Sequence, residues 1–362
     1  MNYAMKELSG NVFPIRAREL RSEETPLLTV FCWTHNDRRF IESAIDSILE
    51  QQTSFAVEII IHDDASTDGT VDVVNEYSVQ YPTLFRNIMH AENQWSRGLS
   101  IMRGLWEAPR GQFVALIHGD DCWTDTTKLQ TQVKFLLNNP DCTLCGHQFT
   151  VIDDAGKVQG TASHMRKAKG TLEDILLVNY VHTSTAVYRK ACLVIDPRVT
   201  FPSAADWFLW TKLAQHGGVG FVNLPMSFYR IHDGGIASGQ PIERRLTDVR
   251  KSVAVMHEAL EHRYERIRRQ SLAIYEIQCC TSLLYRNRRY DTLKVLALFL
   301  RLMGRAPIFA VQQPEMKVLC GAVHSRISAV RVHGWQSVMK VCSALRRRGS
   351  VVKQFMKRGF RT

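Results

Sequence analysis

The stretch VALIHGDDCWTD, Val114–Asp125, runs four apolar residues into His118, a glycine and the adjacent aspartates Asp120 and Asp121. Like charges at the end of an apolar strand repel one another and need compensation. The same design stands earlier in the chain. VEIIIHDD (Val57–Asp64) is a buried strand that ends on Asp63 and Asp64, closed by ASTDGT with a turn at Asp68-Gly69. Before it, LLTVFCW (Leu27–Trp33) is a short β-rich run, and DRRFIESAIDSILEQ repeats apolar residues at helical spacing. TVDVVNEYSVQYP reads as a helix ended by Pro82, FRNIMHAEN as a short strand and GLSIMRGLWEAPRG as a helix. Strand and helix alternate, which predicts a wound α/β sheet. Ligands of such sheets sit beyond the carboxyl ends of the strands, where all four aspartates fall.

From about Asp141 the pattern changes. CTLCGHQFTVID and HTSTAVYRKACL look like strands of a more antiparallel half. DWFLWTKLAQHG is a short helix stopped by Gly217-Gly218, and GVGFVNLPMSFYRIHDGG is strand followed by a glycine-rich loop. From Ile242 the chain reads helical, in ERRLTDVRKSVAVMHEALEHRYERIRRQSLAIYEIQ and again in DTLKVLALFLRLM. The expected organisation is a loosely ordered extension over 1–25, a sheet domain over 26–240 and a helical region over 241–362.

The 362 residues carry a net charge of +11, unevenly spread. Eleven of the 46 basic residues follow Glu315 and no acidic residue does, so the remaining 35 basic residues match the 35 acidic ones. The longest apolar run, Val295–Leu300, is far too short to span a bilayer, and the N-terminus lacks a basic-then-apolar secretory order. Nine cysteines without framework spacing suggest free thiols in a reducing cytoplasm.

Two acidic clusters at strand ends suit a ligand that shares a divalent cation with carboxylates, such as a nucleotide diphosphate. HGDD lacks the Gly-Lys of a phosphate loop, and no such loop occurs in the chain. The plainer reading, that Asp120-Asp121 caps the helix in TDTTKLQTQVKFLL, competes with Thr124 and Asp125, which are better placed to cap it.

LLTVFCWTHNDRRFIESAIDSILEQ, VEIIIHDDASTDGT, VALIHGDDCWTDTTKLQTQVKFL, HTSTAVYRK and SAADWFLWTKLAQHGGVGFVNLPMSFYRIHDGG together resemble family 2 glycosyltransferases of the GT-A fold, over about residues 27–240 and in the family's order. The resemblance implies a mixed Rossmann-like sheet flanked by helices, a nucleotide-sugar donor (most often a UDP-sugar), Mg2+ or Mn2+ and inversion at the sugar carbon. By position, Asp64 matches the carboxylate that hydrogen-bonds the base, flanked by Trp33, Thr34 and Asn36. Asp121 matches the metal ligand, Asp120 a contact to ribose or sugar, Asp206 the catalytic base and His232 a histidine that completes the metal or diphosphate site. Asp206 would take the acceptor hydroxyl proton, or cap its helix, or do both. His232 is alternatively a surface loop residue. His118 departs from the family, which often has an acid there; it is a ligand or a residue touching the ribose.

Weaker candidates are Asp63, which suits the turn after its strand, and Arg97 and Arg103, which reach for a diphosphate or simply face solvent. Cys142 and Cys145 have no second pair, so buried thiols are preferred to zinc. Trp207 and Trp210 suit sugar stacking or the core. The basic tail, with VCSALRRRGSVVKQFMKRGF, mixes apolar and basic residues as membrane-surface segments do; a merely solvated terminus is the alternative, and nucleic acid is disfavoured because nothing else in the chain matches it. The resemblance implies surface-polysaccharide or lipopolysaccharide synthesis on a glycan or lipid-linked acceptor as the expected function. Rival readings are a nucleotidyltransferase, whose glycine-rich loop is missing from WTHNDRRF, and a catalytically silent glycan-binding subunit.

Overall fold

The computed structural model describes residues 10–21, 24–95, 104–162, 168–194, 204–235 and 239–286. Strands β1 (Phe13–Pro14) and β3 (Gln52–Thr53) pair antiparallel. Strands β2 (Leu28–Thr34), β4 (Val57–Asp63), β5 (Phe85–Met89) and β6 (Phe113–His118) lie parallel in the order β6-β2-β4-β5. Helices α1 (Ile41–Leu49) and α2 (Thr70–Gln80) provide crossovers. Every residue of β2 and β4 is buried, which is why both read as apolar runs without alternation. Ile41, Ile45 and Ile48 put one stripe of α1 against Val30, Cys32, Ile59 and Ile61 of the sheet. Each such aliphatic side chain contributes about 1.5–3 kcal/mol on burial.

The sheet continues past β6 as a mixed half. Strand β11 (Val187–Arg189) runs antiparallel to both β6 and β8 (Cys142–Asp153). Strand β12 (Gly218–Ile231) is parallel to β8, and β10 (Lys169–Gly170) closes that edge. Two short partners complete the ten strands: β7 (Cys122–Trp123) on β12 and β9 (Val158–Ala162) on β8. The remaining helices here are α3 (Gly104–Glu107), α4 (Lys128–Asn138), α5 (Leu172–Leu177) and α6 (Ala205–Ala214). Register aligns the functional edge, with Trp33 opposite His118 and Thr34 opposite Asp63.

The chain divides into two compact units, one of residues 1–175 with 179–239, the other of 176–178 with 240–362. The second unit contains α7 (Ile242–Ala259) and α8 (Glu265–Arg286), joined within it by the Arg250–Glu276 ion pair at 2.7 Å. No helix among the described residues is long and apolar enough to cross a membrane.

Three local expectations differ from the structure. Residues 13–20 are built into the sheet unit, with Phe13–Pro14 paired to Gln52–Thr53 and with Ile15 and Leu20 buried in its core. HTSTAVYRK is not one strand: Thr183–Thr185 form a 3-10 turn, and the strand begins at Val187. The long helical stretch breaks after Ala259, where Glu261 (φ 52°) and His262 (φ 56°) take the left-handed conformation. No glycine or proline marks that break, so periodicity alone runs through it.

Candidate active site

The loops after β2 and β4 are tied to each other. Asn36 (φ 57°) and Ala65 (φ 62°) are both left-handed, a conformation asparagine tolerates and alanine adopts at a cost of about 1 kcal/mol or more. Asn36 N–H donates to Ser66 Oγ at 2.8 Å, and Asn36 Oδ1 accepts from Thr67 N–H at 2.8 Å. Asp63 is buried and accepts from the Ser66 backbone N–H (2.9 Å) and from its hydroxyl. The Asp64 carboxylate accepts from the backbone N–H groups of Gln94 (2.7 Å) and Trp95 (3.0 Å), and its carbonyl accepts from Asn93 Nδ2 at 3.2 Å. Asn93 and Asn36 both approach the ring of His35. These contacts shape one end of the strand edge around Asp64.

At the other end three acidic groups converge, Asp37, Asp120 and Asp121. Thr34 Oγ1 (2.8 Å) and His35 N–H (3.2 Å) both donate to Asp37 Oδ2. A side chain on Gly119 would lie 2.7 Å from that same oxygen and 2.7 Å from Thr34 Oγ1, so glycine is what the crowding permits. Asp120 Oδ2 lies 3.0 Å from His232 Nε2, and the Asp120 carbonyl accepts from Arg230 Nε at 3.1 Å. Asp121 is fully enclosed; its Oδ1 accepts from Arg230 N–H at 3.1 Å and its Oδ2 accepts from the Ser184 hydroxyl. The Arg230 guanidinium stacks over Phe40 at 4.5 Å. His118, Asp120 and Asp121 each offer a ligand atom, all within 4.8 Å of one another, a grouping that could hold a metal ion.

The charges in this cluster are perturbed in a consistent way. Burial and then the Asp120 carboxylate push Asp37 up to about 7. Asp121 is raised well above the usual carboxylate range by burial and, again, by Asp120. Burial also opposes ionisation of Asp120, but its hydrogen bond to His232 and the nearby His118 outweigh that and hold it below its ordinary value. His232 is raised in turn, chiefly by its hydrogen bond to Asp120. Hence the crowding is relieved partly by protonation and partly by one imidazole.

Asp206 sits in the first turn of α6. Its Oδ1 accepts from Trp207 N–H at 2.7 Å and its Oδ2 from Asn179 Nδ2 at 3.3 Å. Burial raises it above the ordinary carboxylate value, moderated by these donors and by the nearby His118. Beside it, burial and then the charge of His118 depress His182 to about 3. His182 packs against Tyr229 (4.3 Å between ring centres) and Phe149 (5.0 Å).

Of the residues singled out from the sequence, Trp33, His118, Asp120, Asp121, Asp206 and His232 come together on this edge, Trp33 meeting the His118 ring edge-on at 5.7 Å. Thr34 and Asn36 lie at the β2 end, and Asp63 and Asp64 hold loop backbone. His232 is outside the metal-competent trio and contacts Asp120 instead. Arg97 and Arg103 lie outside the described residues, as does the basic tail. The helix after the aspartate pair is organised by Asp125, whose Oδ1 accepts from Thr127 N–H at 2.7 Å, and not by Asp120 or Asp121. Trp207 and Trp210 are buried, their indole N–H groups donating to the carbonyls of Ile175 (2.6 Å) and Val181 (2.9 Å), so both are core. Cys142 and Cys145 are buried free thiols.

Sequence reading passed over Asp37, Arg230, His182 and Ser184. The available signal was the set of polar residues inside WTHNDRRF, HTSTAVYRK and FYRIHDGG, each joined to an apolar run.

Comparison with known proteins agrees with this geometry. The family described as Glycosyl transferase family 2 matches residues 29–194. An uncharacterized protein of Mycobacterium tuberculosis is 34% identical over 220 residues, 60% of this chain; the chain spans 62% of that relative's length. A putative teichuronic acid biosynthesis glycosyltransferase of Bacillus subtilis, TuaG, is 30% identical over 216 residues, 59% of this chain and 83% of the relative. Among solved structures, residues 1–349 of S. aureus TarS in complex with UDP-GlcNAc superpose with a TM-score of 0.57 at 18% identity, over 83% of this chain and 87% of that one. That likeness, with the mixed sheet flanked by helices, bears out the GT-A fold. On the family match and the extent of the TuaG similarity, this chain belongs to glycosyl transferase family 2.

Proposed function

We propose that the chain is a metal-dependent inverting glycosyltransferase. It moves a sugar from a nucleotide-diphosphate donor, with a UDP-sugar as first choice, to a glycan or lipid-linked acceptor in surface-polysaccharide synthesis. The observation that carries this is the company Asp206 keeps. A buried carboxylate with raised basicity lies within electrostatic reach of His118, a member of the metal-competent trio, at the carboxyl edge of the parallel strands. A base and a cation site side by side suit transfer from a diphosphate leaving group to a hydroxyl. The TarS structure contains UDP-GlcNAc and TuaG is named for teichuronic acid biosynthesis, which supports the donor and the acceptor class respectively.

The donor set fits Mg2+ or Mn2+. Burial and, after it, the Asp120 charge raise Asp37 and Asp121, and a nearby divalent cation would favour their ionised forms. His118, Asp120 and Asp121 would hold the ion, which when bound neutralises charge on the leaving diphosphate. In this chain, Arg230 holds the Asp120-Asp121 turn from both backbone and side chain, and His232 keeps Asp120 ionised. Asp206 accepts the acceptor hydroxyl proton, its carboxylate aimed by Trp207 N–H and Asn179. Trp33, Thr34, Asn36 and the Asp64-bound loop flank the nucleoside. The protein works in the cytoplasm, peripherally on the inner membrane face through its basic tail, on the support of that tail's composition.

The test is hydrolysis and transfer from UDP-sugars with added Mn2+, for wild type, Asp121→Ala and Asp206→Asn. Turnover should stop with chelator and fall at least about 100-fold in Asp121→Ala. Asp206→Asn should lower kcat by about 100-fold to 10,000-fold with donor binding retained. Equal activity in wild type and Asp121→Ala would remove the metal assignment.

A further inference from the structure

We propose that Ser184, held in the turn His182–Thr185, is a positioning residue of the site and fixes Asp121. This rests on the donor-site reading above. The Ser184 hydroxyl donates to Asp121 Oδ2, the carboxylate of the most enclosed member of the metal-competent trio. His182, in the same turn, has its Nδ1 3.9 Å from the same Asp121 oxygen.

The turn is rigid for stated reasons. Thr185 returns to the His182 carbonyl through both its N–H (2.9 Å) and its hydroxyl (2.7 Å), and Ala186 N–H donates to the Thr183 carbonyl at 3.1 Å. Its outer carbonyls are gripped by three other elements. The Trp123 indole N–H donates to the Ser184 carbonyl (2.8 Å), Gln132 Nε2 to the Thr185 carbonyl (2.8 Å) and Leu116 N–H to the Ala186 carbonyl (3.1 Å). Thr183, Ser184 and Thr185 are all buried, so no solvent competes for these bonds. Trp123 follows the aspartate pair by two residues, so the turn is fastened to the same segment whose carboxylate it orients. Buried hydroxyls commonly do no more than satisfy themselves; a merely structural turn would lose stability on substitution without splitting metal binding from turnover. A Mn2+ isotherm that changes at Ser184 and not at its neighbour Thr183 makes the distinction observable.

The experiment titrates Mn2+ in the presence of UDP by electron paramagnetic resonance, alongside donor KM and kcat. Ser184→Ala should weaken Mn2+ binding by about tenfold or more, since it removes a hydrogen bond to a charged group. Ser184→Cys, which keeps the volume and a weak donor, should fall between wild type and Ser184→Ala and serves if the alanine variant folds poorly. Thr183→Val, a buried change in the same turn, should leave the Mn2+ isotherm as in wild type. A Ser184→Ala isotherm that matches wild type overturns the proposal while the donor-site reading stands. So does a pattern in which Ser184→Ala and Thr183→Val weaken Mn2+ binding equally. Wild-type protein that binds no Mn2+ with UDP overturns the donor-site reading and this inference with it.

Discussion

Asp37 sits inside a run of polar residues, THNDRR, where nothing in its type separates it from its neighbours. What singles it out is proximity to Asp120 and His232, which the chain delivers from far along the sequence. His62 is the opposite case, an ionisable residue visible in VEIIIHDD whose state is set by enclosure. Its Nε2 lies 3.0 Å from His90 Nε2, and burial followed by the His90 charge push it from 6.5 down to about 4. The unfolded chain therefore binds more protons than the folded one between pH 6.5 and pH 4. Stability rises with pH through that window, is fully present above it, and is lost as pH falls through it. His62→Leu should flatten this slope by up to about 3 kcal/mol, measured by urea unfolding across the window. An unchanged slope would mean that His62 is not neutral in the fold.

At the scale of elements, the site depends on how β12 is laid down. Parallel to β8 and antiparallel to β7, it carries Arg230 to the Asp120-Asp121 turn, and the chain just beyond it carries His232 to Asp120. The β2 and β6 pairing makes a comparable demand at its opening end. Gly111 enters β6 where an added side chain would meet Thr29 N at 2.5 Å and Phe113 O at 2.8 Å, both backbone atoms. Gly111 N–H also donates to Thr29 Oγ1, which donates to the buried Glu58. Gly111→Ala should lower stability by about 1–3 kcal/mol, because sheet backbone cannot step aside as a side-chain tip would. A shift in Tm of the opposite sign would show that the junction yields. The strands themselves were legible because burial on both faces leaves an uninterrupted apolar signature. The 3-10 turn at Thr183–Thr185 was not, since serine and threonine next to valine and tyrosine suit a strand by propensity, and only hydrogen bonds from Trp123 and Gln132 select the turn. The break at Glu261-His262 was hidden for the same reason: no residue type in it departs from helical habit.

At the scale of the whole molecule, charge is unevenly divided along the chain. The first 315 residues are balanced, and all the excess follows Glu315. Arg346, Arg347 and Arg348 lie among Val, Leu, Phe and Met, which suits an anionic membrane surface. The full chain should co-sediment with vesicles that contain phosphatidylglycerol and not with purely zwitterionic ones, and added salt should release it. Replacing Arg346, Arg347 and Arg348 with alanine should weaken binding about tenfold or more, since each basic residue near such a surface is worth about 1 kcal/mol. Equal binding to both vesicle types would remove the electrostatic contribution.

The amino-acid sequence alone determined the alternating architecture, the strand ends and the four aspartates found on them, because hydrophobic period and strand-terminal polarity are local properties. The motif order was enough to point to the family. The tertiary structure decided which polar groups meet. It placed His118 rather than His232 in the metal-competent trio, turned Asp63 and Asp64 toward loop backbone, and added Asp37, Arg230 and the His182–Thr185 turn to the site. Such meetings depend on register, crossovers and burial summed over distant segments. For the same reason, the state of the aspartates in HGDD, one lowered and one raised, follows from what surrounds them and not from their being neighbours in the chain.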